Sequence, residues 1–381
     1  MRIGIDIRYL SHGLVGGVHT YVSELIPALL DIARDHEIYL YADRKRPLEL
    51  ASWPDNVAVR LLPWRTAAST LYHDCFLWRE MSRDHLDVAH FPANVGFGPS
   101  GTRTVITLHD AINLLPLREV IRGHPKHARN VVLMTYLHFA TSLAARRADL
   151  ILTVSQHAAQ QIASVGRIDP RVIVSTLEAP SQQLSRVSDP TVISDLRQRF
   201  GLVRSFVLAD ALKNPRVLVD AWKLLPETLR EEREIVFFSR HPNVSAAVAE
   251  AVQMGIARLL VQPTSEELAG LYSLCSAFVF PSWMEGFGLP VLEAMTCGAP
   301  VITSNRGALP EIVGDGGLLT DAEGEEQLSR LLERLLSSPE EASRLRARGY
   351  VRAAQFSWHR TAQKTLQAYE GVLCTPKGTS Q

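Results

Sequence analysis

The feature that most constrains this chain is a rhythm. Short apolar runs of strand character alternate with longer segments of helical period, and the series runs through twice. In the first half IGIDI leads to a helix near 18–33, then IYLYA, VAVRLL, a helix near 69–83, DVAHF and RTVITLHD. A helix near 126–146, the strand DLILTVS, a helix near 156–164 and RVIVST complete it. Strands separated by whole helices are read as βαβ units with parallel pairing. The rhythm breaks at 177–190, where EAPSQQLSRVSDP gathers Pro, Ser and Gln without a period. It restarts with SFVLA, a helix near 215–225, EIVFFS, a helix near 244–254, RLLV, a helix near 265–274, AFVFPS, APVITS and GGLLT, and from 325 onward reads as helix only. A chain of 381 residues is long enough for two domains at roughly 100–200 residues each. Two doubly wound α/β domains of similar size fit better than one very large sheet. The expected division is 1–180, 181–358 and a terminal helical segment, 359–381. In such sheets ligands bind beyond the carboxyl ends of the strands, so function is sought in the strand-to-helix loops.

Charge and cysteine usage narrow the function classes. Forty Lys and Arg cancel forty Asp and Glu, which removes the global positive field of a non-specific nucleic-acid binder, so no nucleic acid is expected as a partner. Cys75, Cys275, Cys297 and Cys374 are scattered without a C-x-x-C pair, fitting neither a disulfide framework nor a zinc site. A reducing cytoplasm is the expected compartment. MRIGIDIRYL reads as a first strand rather than a signal peptide. The apolar stretches fall far short of the roughly 18 residues of a spanning helix, so the chain is expected to be soluble or at most peripheral.

The densest chemistry lies in PSWMEGFGLPVLEAMTCGAPVITSNRGALPEIVGDGGLL, residues 281–319. Glu285 falls in a loop after the strand AFVF. Gly286 and Gly288 permit close backbone approach, and Pro290 suits the first turn of the following helix. A helix start offers free N–H groups to an anion. Glu293 lies about a turn further on. Phosphate at the helix start with a carboxylate on either side suits a ligand that combines phosphate with hydroxyls. Simple helix capping by both glutamates is the alternative.

The spacing from Glu285 to Glu293, with EGFGLP, EAM-x-x-G-x-PV-x-x-S and PE-x-x-GD-x-G, resembles the C-terminal signature of family 4 glycosyltransferases. QPTSEELAGLYSLCSAFVFPS and FSWHRTAQKTLQAY look like the same domain, and the dense part covers about 262–320. The resemblance implies the GT-B fold, two Rossmann-like domains facing across a cleft with the last helix crossing back to the first. It implies a retaining transferase that uses a nucleotide-sugar donor. Carried over by position, Glu285 contacts donor-sugar hydroxyls and Glu293 the ribose, while the amides of Phe287, Gly288 and Leu289 face sugar and diphosphate. An ionised Glu can accept from two neighbouring hydroxyls, which gives the ribose role a physical basis.

Leu14-Val15-Gly16-Gly17-Val18 resembles the family's N-terminal glycine loop, with Gly16 and Gly17 at the donor; a plain tight turn is the alternative. In TLHDAINLLP, His109 looks like the residue that approaches the donor sugar from the acceptor side, against a structural, hydrogen-bonded His. With Asp110 it lacks a third ligand at a recognisable spacing, so neither metal nor other cofactor is expected. The family's Arg-Lys pair after the first strand of the second domain is altered in FVLADALKNPRVLVDAW. Leu212 stands where Arg is expected, Lys213 is kept, and Arg216 or Arg240 is left to supply the second cation.

Arg118, Arg122, Lys126 and Arg129, with Leu71, Tyr72, Phe76, Leu77 and Trp78 flanked by Arg65, Arg79 and Arg83, suggest peripheral contact with an anionic membrane. A solvated charged face and a core-packed helix are the alternatives. The start, RIGIDIRYLSHGLVGGVHTYVSEL, looks like bacterial polysaccharide mannosyl- or rhamnosyltransferases. The expected reaction is transfer from a nucleotide sugar, with GDP-mannose a candidate, to a saccharide or lipid-linked acceptor in surface-polysaccharide synthesis. The rival is a catalytically impaired GT-B relative that binds sugar or nucleotide.

Overall fold

The structure is a computed structural model that describes residues 1–11, 16–45, 53–122 and 127–375. It divides into two units. One comprises Met1–Glu178 with Trp358–Gln381, the other Ala179–Ser357. In the first unit β1 (Arg2–Asp6), β2 (Glu37–Asp43), β3 (Val57–Leu62), β4 (Val88–Phe91), β5 (Arg103–Leu108), β6 (Leu150–Thr153) and β7 (Ile173–Ser175) form a seven-stranded sheet in the order β3-β2-β1-β4-β5-β6-β7. Every pairing is parallel. The second unit has β8 (Ser205–Asp210), β9 (Arg233–Ser239), β10 (Ala257–Val261), β11 (Ala277–Phe280), β12 (Val301–Ser304) and β13 (Leu318–Thr320), in the order β10-β9-β8-β11-β12-β13, again all parallel.

Helices on both faces explain why the central strands are apolar runs rather than alternating ones. β4, β5, β6, β11 and β12 are buried at every residue. Each sheet reverses its order once, between β1 and β4 in the first unit and between β8 and β11 in the second. Those switch points open a crevice at the carboxyl ends of the strands.

The helix Trp358–Cys374 packs on the helix Gly17–Ile32 and buries Trp358, Ala362, Tyr369 and Val372. The Trp358 ring meets Tyr21 edge-on with centroids 5.9 Å apart. Tyr369 Oη lies 2.6 Å from His90 Nδ1, and His90 Nε2 lies 2.8 Å from Thr107 Oγ1. Burial, with the charge of His109 adding to it, pushes the His90 imidazole down to about 3, so this buried link is neutral. Each of the large buried rings contributes on the order of 1.5–3 kcal/mol by leaving water.

Several short helices and one of eleven residues are absent from the periodicity reading. Pro190–Phe200 opens at Asp189, whose Oδ1 accepts from Thr191 N at 2.8 Å, and closes at Gly201 with Leu202 N donating to Arg197 O at 2.8 Å. It buries Leu196 alone, so caps and not an apolar stripe define it. Among the described residues no helix is long and apolar enough to cross a membrane.

Candidate active site

The carboxyl ends of β8 and β11 bring together residues that are far apart in the sequence. β8 ends at Asp210, whose Oδ1 accepts from Leu212 N at 2.8 Å and so turns the chain sharply. Asn214 then adopts a left-handed conformation, φ 53°. Its Nδ2 donates to Pro281 O at 3.0 Å and to Ala322 O at 2.6 Å. This one side chain ties the loop after β8 to the loops after β11 and β13. It holds Lys213, whose Nζ stands 2.8 Å from Glu285 Oε1. The same oxygen accepts from Ser282 Oγ at 2.7 Å. Glu285 is mostly buried and Lys213 about a third exposed, so one face of the pair is open.

The Glu285 backbone is fixed by Gly307, φ 61°. A Cβ at residue 307 would lie 2.7 Å from Glu285 O and 2.8 Å from its N. The next amide, Ala308 N, donates to Glu285 O at 3.1 Å. Only a glycine lets the two loops come this close at that φ.

Beyond Glu285 the helix Leu289–Thr296 begins at Gly288, φ 113°, with Pro290 in the first turn. Gly288 has no side chain to cap the helix, and no side-chain cap forms. A helix start without a side-chain cap has N–H groups to offer, here those around Phe287, Gly288 and Leu289. Phe287 itself is buried against Phe356, centroids 6.0 Å apart, which anchors the turn. Glu293 lies on the fifth residue of this helix. Burial pushes its carboxyl up, with the charge of Arg240 opposing. Asp210 is likewise raised by burial, with its Leu212 amide bond and the Lys213 and Arg240 charges opposing.

In the first unit His109 follows β5 at the carboxyl end of the sheet. Its backbone N donates to Asn94 Oδ1 at 3.1 Å. Nε2 lies 2.9 Å from Pro92 O and Nδ1 3.5 Å from Glu178 Oε1. A carbonyl can only accept, so the Pro92 contact calls for a proton on Nε2, while Nδ1 faces the Glu178 carboxyl. Burial alone would lower the imidazole, but Glu178, the Pro92 carbonyl and Asp110 reverse this and raise it. Both ring nitrogens are thus engaged inside the unit, which leaves the imidazole no free lone pair for proton abstraction. Gly16 and Gly17 open the helix Gly17–Ile32 after β1, and a Cβ at either would meet nothing within 4 Å. Leu14 and Val15 lie outside the described residues.

The geometry can be set beside known proteins. The model of "Glycosyl transferases group 1" matches residues 208–352, and that of "Glycosyltransferase Family 4" matches 15–175. O-antigen chain mannosyltransferase B of Escherichia coli is 30% identical over 76% of this chain and 75% of its own. The chain belongs to glycosyltransferase family 4. Serotype-specific mannosyltransferase WbdA of Escherichia coli is also 30% identical, over 73% of this chain but 34% of its own length. The chain thus spans about a third of the length of WbdA. The crystal structure of HepE from Anabaena in complex with UDP-glucose superposes with a TM-score of 0.67 over 97% of this chain and 100% of that one, at 18% identity, in keeping with a GT-B fold.

In this family 4 chain Lys213, Glu285, Phe287, Gly288, Leu289 and Glu293 lie in the loops after β8 and β11 and in the helix that follows β11, all in the second unit, and His109, Gly16 and Gly17 belong to the first unit. Sequence reasoning missed Asn214, Ser282 and Gly307. The αL-tolerant Asn before Pro215 is the one signal that pointed to a shaped turn there. Of the two arginines considered for a second cation, Arg216 is paired with Glu250 at 3.3 Å, whereas Arg240 follows β9, next to β8. Among the described residues no three His, Cys, Asp or Glu side chains come together as a metal site.

Proposed function

We propose that this glycosyltransferase moves a sugar from a nucleotide-sugar donor to a hydroxyl of a saccharide or lipid-linked acceptor, with retention. The contact of Lys213 with Glu285 beside an uncapped helix start carries the reading. A cation and a carboxylate in contact, beside N–H donors, suit a sugar diphosphate. In transfer the bond from the anomeric carbon to the phosphate oxygen breaks and the acceptor oxygen attacks from the same face. The acceptor proton passes to the departing phosphate. Lys213 and the helix-start amides stabilise charge on that phosphate, Glu285 orients the sugar hydroxyls, and Glu293 accepts from the ribose. The reading assigns the phosphate's counter-charge to groups of the chain itself and calls for no metal or other cofactor. His109, with both ring nitrogens engaged, acts through the shape and charge of its surroundings rather than as a base.

The mannosyltransferase names of the relatives support mannose as the sugar, and the O-antigen chain in one of them supports surface-polysaccharide synthesis; GDP-mannose as the donor and the cytoplasm as the setting complete the proposal. A membrane-facing surface fits a lipid-linked acceptor. In the first unit Leu71, Tyr72, Phe76 and Trp78 are exposed on the helix Ala67–Met81, and Val132, Leu133, Phe139 and Leu143 on the helix Ala128–Arg147. Tyr136 Oη donates to Asp74 Oδ2 at 2.8 Å and links the two helices. Arg79 lies over the Phe76 and Trp78 rings, and Arg118, Arg122 and Arg129 are exposed nearby in the chain. Leu77 is 2% exposed and belongs to the core instead. Lys126 lies outside the described residues.

A thermal-shift screen of GDP-mannose, UDP-glucose and ADP-glucose tests the donor reading, because a selective ligand raises the melting temperature. One sugar nucleotide should stabilise the chain, with or without chelator. No shift with any of them would refute the reading, and a shift that needs a divalent ion would refute its metal-free form. Leu212, 47% exposed where the resemblance expects an arginine, favours a second reading, a binding protein without transfer. Lys213→Ala separates the two. Loss of turnover beyond loss of affinity marks the enzyme.

A further inference from the structure

Three carboxylates, Asp210, Glu285 and Glu293, crowd the donor crevice, and Lys213 is already matched by Glu285 at 2.8 Å. A helix start adds only about half a unit of positive charge. A diphosphate entering this crevice therefore needs a further cation. The strand pairing points to its source. Asp210 of β8 is in register with Phe238 of β9. Leu212 stands two residues past the first and Arg240 two residues past the second, so Arg240 emerges at the same end of the sheet, level with Leu212.

The turn that carries it is built firmly. Ser239 Oγ donates to His241 O at 2.7 Å and accepts from His241 N at 3.1 Å. Gln262 N donates to Ser239 O at 2.7 Å, and Gln262 Nε2 donates to Arg240 O at 3.4 Å. These contacts hold the backbone of Arg240 and leave its guanidinium exposed, with no carboxylate partner in a salt bridge among the described residues. Its charge still acts on both the Asp210 and the Glu293 carboxyls, which burial raises and Arg240 helps to lower. Arg216, the other candidate, is held at Glu250.

We infer that Arg240 is the second cation of the donor site, gripping the diphosphate from the end of β9 while Lys213 meets it from the end of β8. A guanidinium can engage two phosphate oxygens side by side, which a lysine cannot. The inference rests on the nucleotide-sugar reading above and adds the residue that replaces the arginine missing at Leu212.

The test is calorimetric titration of GDP, UDP and ADP, and of their parent nucleosides, into the unmodified chain and into Arg240→Gln, Arg240→Lys, Arg216→Gln and Lys213→Ala. The diphosphate that binds the unmodified chain should bind Arg240→Gln about ten- to a hundred-fold more weakly, the scale of a lost charged hydrogen bond. Arg240→Lys should recover part of this, Arg216→Gln should bind normally, and the nucleoside should bind Arg240→Gln as it binds the unmodified chain. Normal diphosphate binding by Arg240→Gln beside weakened binding by Lys213→Ala would overturn the inference and leave the donor reading standing. Equal losses for nucleoside and diphosphate would also overturn it, because the contact would then lie away from the phosphates. Failure of the unmodified chain to bind any of the three diphosphates would sink the donor reading and this inference with it.

Discussion

At the residue scale Glu293 is placed where its charge opposes folding. Its carboxyl is raised by burial, so between the unfolded and folded pKa values the folded chain holds the proton more tightly than the unfolded one. The sign follows from linkage: this group's contribution to stability falls as pH rises through the unfolded value. Glu293→Gln should therefore melt at or above the temperature of the unmodified chain near about pH 8 and lose that advantage near about pH 4. Its affinity for the nucleoside diphosphate should fall by about tenfold as ribose contacts are lost. Melting curves at both pH values with one titration check this. A lower melting temperature with unchanged affinity would make Glu293 a structural residue. Glu285 and Glu293 are legible in the sequence as candidates because one motif carries them eight residues apart, and Lys213 because it stands where the resemblance expects the lysine of the Arg-Lys pair. Asn214 is not, because its value lies in bonds to Pro281 and Ala322, 67 and 108 residues away. The engagement of both His109 nitrogens is hidden for the same reason, since Pro92 and Glu178 approach it from separate loops.

At the scale of elements the site depends on how closely the loops after β11 and β12 approach. Gly307→Ala places a methyl at 2.7–2.8 Å from the Glu285 backbone, at a φ of 61° that alanine resists. The left-handed conformation costs on the order of 1–2 kcal/mol, and relieving the overlap must move Glu285. The variant should melt several degrees lower and lose turnover by a larger factor than nucleotide affinity, because Glu293 and the helix start stay in place. A drop in melting temperature with turnover per folded molecule unchanged would show that Glu285 does not depend on this contact. The strands and their parallel pairing are legible because helices on both sides make them apolar throughout. The helix Pro190–Phe200 escapes that logic. It buries one side chain, and its Asp189 and Gly201 ends resemble the Pro-, Ser- and Gln-rich linker beside it.

For the whole molecule, the exposed apolar side chains of the first unit should matter only where a membrane is present. Replacing Phe76 and Phe139 with Ser is expected to lower binding to anionic vesicles and leave melting temperature within about a degree, since both side chains are exposed. Salt should weaken binding of the unmodified chain. Equal vesicle binding by the variant would move the contact elsewhere. The doubly wound rhythm in each half is open to sequence reading, whereas the way Arg240 takes up the ground left by Leu212 depends on the pairing of β8 with β9. The central claim is that this family 4 chain transfers sugar with Glu285 orienting the donor. The direct measurement is release of GDP from GDP-mannose by the unmodified chain and by Glu285→Gln, with GDP affinity measured on both. The account predicts release by the unmodified chain, a rate lower by something on the order of 10² for Glu285→Gln, and GDP affinity within about twofold between them. Equal rates for the two proteins, or no release by the unmodified chain from GDP-mannose or any other sugar nucleotide that stabilises it, would contradict the account.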